Sequence, residues 1–167
     1  RASGIHPTQG ETDADAQRYH LACADALSAL APECPADDIA RHPGISVKLS
    51  ALHPRYVRAQ RERVLAQLML RVTDLAQLAR HYDIGFNIDT EEADRLDLSL
   101  DVLAALAADP SLAGWDGLGF VVQTYQKRAR PLVDWIVALA RATNRRLMVR
   151  LVKGAYWDTE IKRAQVD

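Results

Sequence analysis

Four short apolar runs, each followed by a longer amphipathic stretch, restrict what this chain can fold into more than any other feature. The runs at 45–49, 84–88, 118–123 and 147–152 read as strands. After the first, Val64, Leu65, Leu68, Val72, Leu75 and Ala79 recur at the spacing of one helix face. Leu96, Leu100, Leu103 and Ala107 do the same after the second. After the third, Pro131 suits a first helical turn, and Trp135, Ile136, Leu139 and Ala140 are expected to form the buried face. Strand and helix thus alternate at intervals of roughly 30–40 residues, the mark of parallel βαβ units. Two α/β architectures meet that pattern: an open doubly wound sheet, or part of a (β/α)8 TIM barrel.

The amino-terminal segment differs. Residues 1–11 show no apolar period and read as a loop or tail. Thr12 is a fitting N-cap, with Asp13 and Asp15 at the positive end of a helix that buries Tyr19, Cys23, Ala26, Leu27 and Leu30. Pro32 and Pro35 end it, and a polar linker runs to Gly44. The chain begins at Arg1, its only methionines are Met69 and Met148, and residues 159–166 read as the opening of a helix. The expectation is a piece of a longer domain.

Composition excludes several classes. Of 167 residues, 49% are apolar and 26% charged, as in an ordinary soluble domain rather than a disordered chain. With 21 basic against 22 acidic side chains there is no field to draw nucleic acid, and none is expected to bind this segment. No apolar run approaches the ~20 residues of a membrane span. Cys23 and Cys34 are too few for a disulfide scaffold and read as reduced cytoplasmic thiols.

Function is signalled where the strands end. The first strand carries Lys48 and runs into Ser50 and His53; the second reaches Asp89, Glu91 and Glu92. The third ends at Gln123 with Tyr125 beyond it, and the fourth holds Arg150 and runs into Lys153, Gly154, Ala155, Tyr156 and Trp157. Singly, each has a structural reading: Lys48 can snorkel, Asp89 can cap a helix, Gln123 can bind loop backbone. Together they point to a site, because both architectures bind ligands at the carboxyl ends of their strands. Lys48, Arg150 and Lys153 must meet either Asp89 or an anionic ligand, since unpaired buried cations are costly. Gly154 admits close backbone approach, and Tyr156 and Trp157 offer flat surfaces. The set suits an anionic planar ligand such as a flavin or nucleotide, together with a small carboxylate. No G-x-G-x-x-G fingerprint occurs. An Mg²⁺ site on Asp89, Glu91 and Glu92 is the lesser alternative to acids serving a helix dipole. Arg58, Arg61 and Arg63, and Lys127, Arg128 and Arg130, read as solvated helix faces.

Four stretches also carry a family resemblance: GISVKLSALHPRY at 44–56, NIDTEEADRL at 87–96, GLGFVVQTYQKR at 117–128 and RLMVRLVKGAYWD at 146–158. They resemble successive strand motifs of the proline dehydrogenases, and most closely the proline dehydrogenase domain of bacterial proline utilisation A enzymes. The likeness covers about residues 12–167. It implies a distorted (β/α)8 barrel that holds FAD and oxidises L-proline to Δ1-pyrroline-5-carboxylate by hydride transfer. It further implies that electrons pass to a membrane quinone, from an enzyme at the inner face of the cell membrane. By the same resemblance Arg150 lies near the reactive edge of the flavin, Gln123 and Lys153 contact it, and Gly154, Ala155 and Trp157 wall it. Lys48 neutralises the proline carboxylate, Tyr156 packs on the proline ring, and Asp89 orders the cations.

Against the family pattern, a first barrel strand is missing before Thr12, and strands six to eight are expected beyond residue 167. Thr90 stands where relatives often carry alanine. The expectation is an incomplete barrel of about four βα units that turns over no proline by itself. Two other readings stay open: a Schiff-base lyase using Lys48 or Lys153, and a non-catalytic binding fragment.

Overall fold

The computed structural model describes residues 11–34 and 38–166. Pro35 and all but Glu11 of the expected tail lie outside the described residues. Helix α1 (Asp13–Leu30) opens on Thr12, whose side chain accepts from the Asp15 N–H while Asp15 accepts from the Thr12 N–H, a reciprocal cap. A single 3₁₀ turn at Ala31–Glu33, containing Pro32, ends it. The rest alternates as expected: β1 (Gly44–Lys48), a one-turn α2 (Leu49–Leu52), α3 (Arg61–His81), β2 (Gly85–Asp89), α4 (Leu96–Ala108), β3 (Leu118–Gln123), α5 (Ala129–Ala142), β4 (Met148–Val152) and α6 (Trp157–Ala164).

The four strands form one parallel sheet in the order β1-β2-β3-β4. That order decides between the two architectures. A doubly wound sheet reverses direction at a switch point. Here every crossover advances by one strand, so right-handed connections stack the helices on one face, as in a barrel wall. Ile45, Val47, Phe86, Ile88, Phe120 and Val122 fill the helix-covered face and are buried. α3 and α5 end in αL residues, Asp83 at φ 54° and Asn144 at φ 50°. The following Ile84 and Arg145 N–H groups donate back to Ala79 and Ala140, turning the chain directly into β2 and β4.

The opposite, concave face is layered. In its lower layer a Cβ on Gly119 would lie 2.1 Å from Asn87 Oδ1, and one on Gly85 would lie 2.9 Å from Met148 Cε. Each glycine therefore makes room for a neighbour's long side chain. The upper layer, toward the strands' carboxyl ends, carries the ionisable groups.

One expectation needs correction. Ile136 is buried as expected, but Trp135 is 37% exposed and Leu132 takes its place, because α5 leans on β3 and α4 and Trp135 stands on the flank of that face. The outer face of β4 is likewise open, with Val149 at 40% and Leu151 at 63% exposure. The basic stretches are exposed as expected, and three of their arginines are also paired: Arg58 and Arg128 with Asp97, at 2.6 and 3.2 Å, and Arg61 with Asp101 at 2.6 Å. These pairs link the segments flanking α4.

Candidate active site at the carboxyl ends of the strands

Alternation along each strand puts Lys48, Asp89, Gln123 and Arg150 on the concave face. Lys48 and Asp89 are register partners on adjacent strands. Arg150 is the register partner of Val121 and reaches over it, so that Nη2 donates to Asp89 Oδ1 at 2.8 Å. One carboxylate is thus flanked by two cations. Burial raises the Asp89 carboxyl above the ordinary carboxylate range, while Arg150, a hydrogen bond from Ser46 and Lys48 pull it down. From α1, the Tyr19 hydroxyl accepts from the Lys48 N–H at 3.3 Å, fastening the edge strand where the cation stands.

Gln123 closes the third strand from below. Its Nε2 donates to the Glu91 carbonyl at 2.7 Å and the Thr90 carbonyl at 3.3 Å, so the loop after β2 is pinned to β3. Its Oε1 is buried with no partner, as is the Thr90 hydroxyl. Glu91 and Glu92 turn away from Asp89. Buried Glu91 accepts from Arg95 at 2.9 Å and from the Ser50 N–H at 3.1 Å, and Glu92 faces Arg95 at 3.4 Å. Arg95 in turn lies over the Tyr56 ring, 6.0 Å from its centroid. Asp89 therefore faces Lys48 and Arg150, whereas Glu91 and Glu92 share Arg95.

The loop after β4 follows the edge of β3, with the Thr124 N–H donating to Val152 at 2.8 Å and the Tyr125 N–H to Lys153 at 3.2 Å. Gly154 has φ +112°, and a Cβ there would stand 2.3 Å from the Tyr125 ring and 2.9 Å from Gln123 Oε1. Only glycine fits both the backbone and the space. The turn carries Ala155 and Tyr156 inward, where with Lys48, Asp89, Gln123 and Arg150 they line a cavity of 170 Å³. Burial pushes the Tyr156 hydroxyl up to about 12, with Glu91, Glu92 and Asp89 adding to the rise, so it is a neutral donor at physiological pH.

Six of the nine candidate residues meet in this cavity. Gly154 stands behind it, and Lys153 and Trp157 face outward together, with Nζ 5.6 Å from the indole centroid. His53 does not join: its Nε2 pairs with Gln67 at 2.9 Å and its Nδ1 accepts from the Arg55 N–H. A larger cleft of 470 Å³ outside the rim is lined by Tyr56, Arg58, Asp94, Arg95, Asp97 and Arg128, its arginines paired with Asp97 and Glu91.

Residues 6–167 match the family described as proline dehydrogenase. The chain belongs to the proline dehydrogenase family. It is 56% identical over 156 residues to the bifunctional protein PutA of Escherichia coli and 58% identical to that of Rhizobium meliloti, in each case over 93% of this chain. It spans 12% of the length of those relatives. A crystal structure of proline utilization A from Bradyrhizobium japonicum superposes with a TM-score of 0.93 at 56% identity, covering 96% of this chain and 16% of that one. The proline dehydrogenase fold is thus the TIM-barrel-like one, and the chain supplies a four-stranded arc of it.

A flavin's pyrimidine ring presents one N–H between two carbonyls. The cavity offers part of the complementary set: an orphaned buried amide oxygen on Gln123 and a cationic donor on Arg150. These groups fit a flavin ring. Several residues that build the site were not singled out as such from sequence: Tyr19, Thr90, Arg95 and Glu160. The contacts of Tyr19, Thr90 and Glu160 cross between segments 29 to 67 positions apart, and no local periodicity reports them, whereas Arg95 pairs with Glu91 and Glu92 at the local spacings of four and three. Thr90 departs from a family motif, and that departure was its only signal.

Proposed function

We propose that this chain forms part of an FAD-dependent proline dehydrogenase that oxidises L-proline to Δ1-pyrroline-5-carboxylate. The observation that carries this reading is the row of Lys48, Asp89 and Arg150: two cations share one carboxylate, which leaves one positive charge for an anionic ligand. A bound FAD supplies the acceptor for the hydride leaving the substrate's ring carbon. Lys48 pairs with the substrate carboxylate, and Tyr156 closes over the ring. Arg150, oriented by Asp89, presents positive charge where negative charge arrives with the hydride. Gln123 holds the flavin ring edge through Oε1, Lys153 contacts it, and Gly154, Ala155 and Trp157 complete the wall.

Electrons then pass to a membrane quinone, and the full enzyme works from the cytoplasmic side, attached peripherally. Among the described residues no helix is long and apolar enough to cross a membrane. The activity belongs to a longer protein, of which the matched relatives are eightfold examples in length. The chain supplies four of the eight strands such a barrel needs to enclose substrate and cofactor, so by itself it turns over no proline.

Anaerobic addition of L-proline to the full-length protein carrying this chain tests the reading. The expected result is loss of the visible flavin absorbance. A preparation without flavin, or a band that proline leaves unchanged, overturns it; proline turnover by the purified 167-residue chain overturns the assignment of activity to the longer protein.

A further inference from the structure

Glu160 lies outside the cavity, yet its carboxylate joins three loops. From α6, Oε1 accepts from the Ala93 N–H at 2.7 Å, and Oε2 accepts from the Tyr125 hydroxyl at 2.6 Å. Ala93 belongs to the loop after β2, Tyr125 to the loop after β3, and Glu160 itself follows the loop after β4. No other side chain among these contacts spans all three.

Both arms lead to the cavity wall. On one side, Ala93 closes the loop that begins at Asp89 and Thr90, the same loop that Gln123 holds through two carbonyls. Glu160 fixes its far end and Gln123 its near end. On the other side, the Tyr125 ring fills the space left by the missing Cβ of Gly154, two residues before Tyr156. The Tyr125 backbone N–H also binds the Lys153 carbonyl, so ring and backbone together set the path of 153–156. Burial, and then the neighbouring Glu160, raise the Tyr125 hydroxyl above its ordinary value, which keeps it a donor to the carboxylate.

We infer that Glu160 is a positioning residue of the active site, holding the Asp89 and Tyr156 loops at one mutual distance so that substrate meets both. This rests on the proposed proline dehydrogenase function. A carboxylate is suited to the task because it accepts two hydrogen bonds at once, and charge-assisted bonds are stronger than neutral ones. Glutamine at this position keeps a carbonyl for Ala93 and can donate to the Tyr125 oxygen, whereas alanine leaves both partners unmet.

The test uses the full-length protein with Glu160→Ala, Glu160→Gln and Tyr125→Phe, read by hydrogen exchange and by steady-state kinetics. Glu160→Ala is expected to speed amide exchange in 89–95 and 153–157 and nowhere else. It is expected to raise the proline KM by about tenfold with a smaller change in kcat, the result of misplaced contacts rather than lost chemistry. Glu160→Gln should restore both readouts to near wild type, and Tyr125→Phe should loosen 153–157 alone. Unchanged exchange in those loops, exchange raised throughout the protein, or a KM within twofold of wild type despite loosened loops each overturns the inference. If wild type fails to oxidise proline, the proposed function falls, and the exchange pattern still decides whether Glu160 holds the loops.

Discussion

Arg150 and Asp89 stand two strands apart, and the guanidinium crosses over Val121 to bind the carboxylate at 2.8 Å. A side chain as short as Val121 at the intervening position is what lets the pair form. The pair sets the charge of the site, since Asp89 also faces Lys48.

The acidity of Asp89 makes a signed prediction. Burial lifts its folded value above the ordinary one, so the folded state holds that proton more tightly than the unfolded chain. The stabilisation is complete below the ordinary carboxylate value of about 3.9 and is lost as pH rises through the lifted one. Removing Arg150 removes the largest opposing influence. In urea titrations of the chain, Arg150→Met should extend this loss of stability to higher pH than wild type, and Asp89→Asn should abolish it. A pH slope identical in all three proteins contradicts the prediction.

Gly154→Ala meets both a strained φ and the Tyr125 ring. It should destabilise the chain by about 1–3 kcal/mol from the backbone alone, and more if the ring is blocked from moving. Urea midpoints measure this. A midpoint equal to wild type would mean that the loop after β4 has another path.

How much of this was legible beforehand follows from the reach of each signal. Helix faces such as Val64–Leu68–Val72–Leu75 repeat locally, and α3 buries those residues. Lys48, Asp89, Gln123 and Arg150 were legible because a parallel sheet delivers strand ends to one place whatever the strand order. Trp135 stands at the edge of the buried face that Leu132 and Ile136 centre, and period alone does not say how wide that face is. Glu160 was illegible for a different reason: its partners lie 35 and 67 positions away in sequence, on two other loops.

Packing in the lower layer gives a compensating pair. Gly119→Ala drives a methyl into Asn87 Oδ1 and approaches the Met148 carbonyl to 3.1 Å. The single change should cost about 1–3 kcal/mol by overpacking. Adding Asn87→Ala removes the closer clash and should recover more than half of that loss in the unfolding free energy. A double variant no better than Gly119→Ala would show that the Met148 backbone sets the limit.

Buried Glu91 is paired with Arg95 and accepts a backbone hydrogen bond from Ser50. Arg95→Met should therefore destabilise the chain by about 3–5 kcal/mol, the cost of stranding a buried charge. Calorimetry would register a much lower Tm, whereas Arg95→Met paired with Glu91→Leu should regain most of it. A small loss in the single variant would mean that water reaches Glu91.

On the proposed function, the Lys48–Asp89–Arg150 row belongs to a proline-oxidising site. Proline-dependent dye reduction by the full-length protein, compared between wild type and Arg150→Met at matched flavin content, tests it most directly. The expected result is a fall in kcat of about 10²–10³, the scale of removing one preorganised charge-stabilising donor. A variant that retains wild-type turnover with its flavin bound would contradict it.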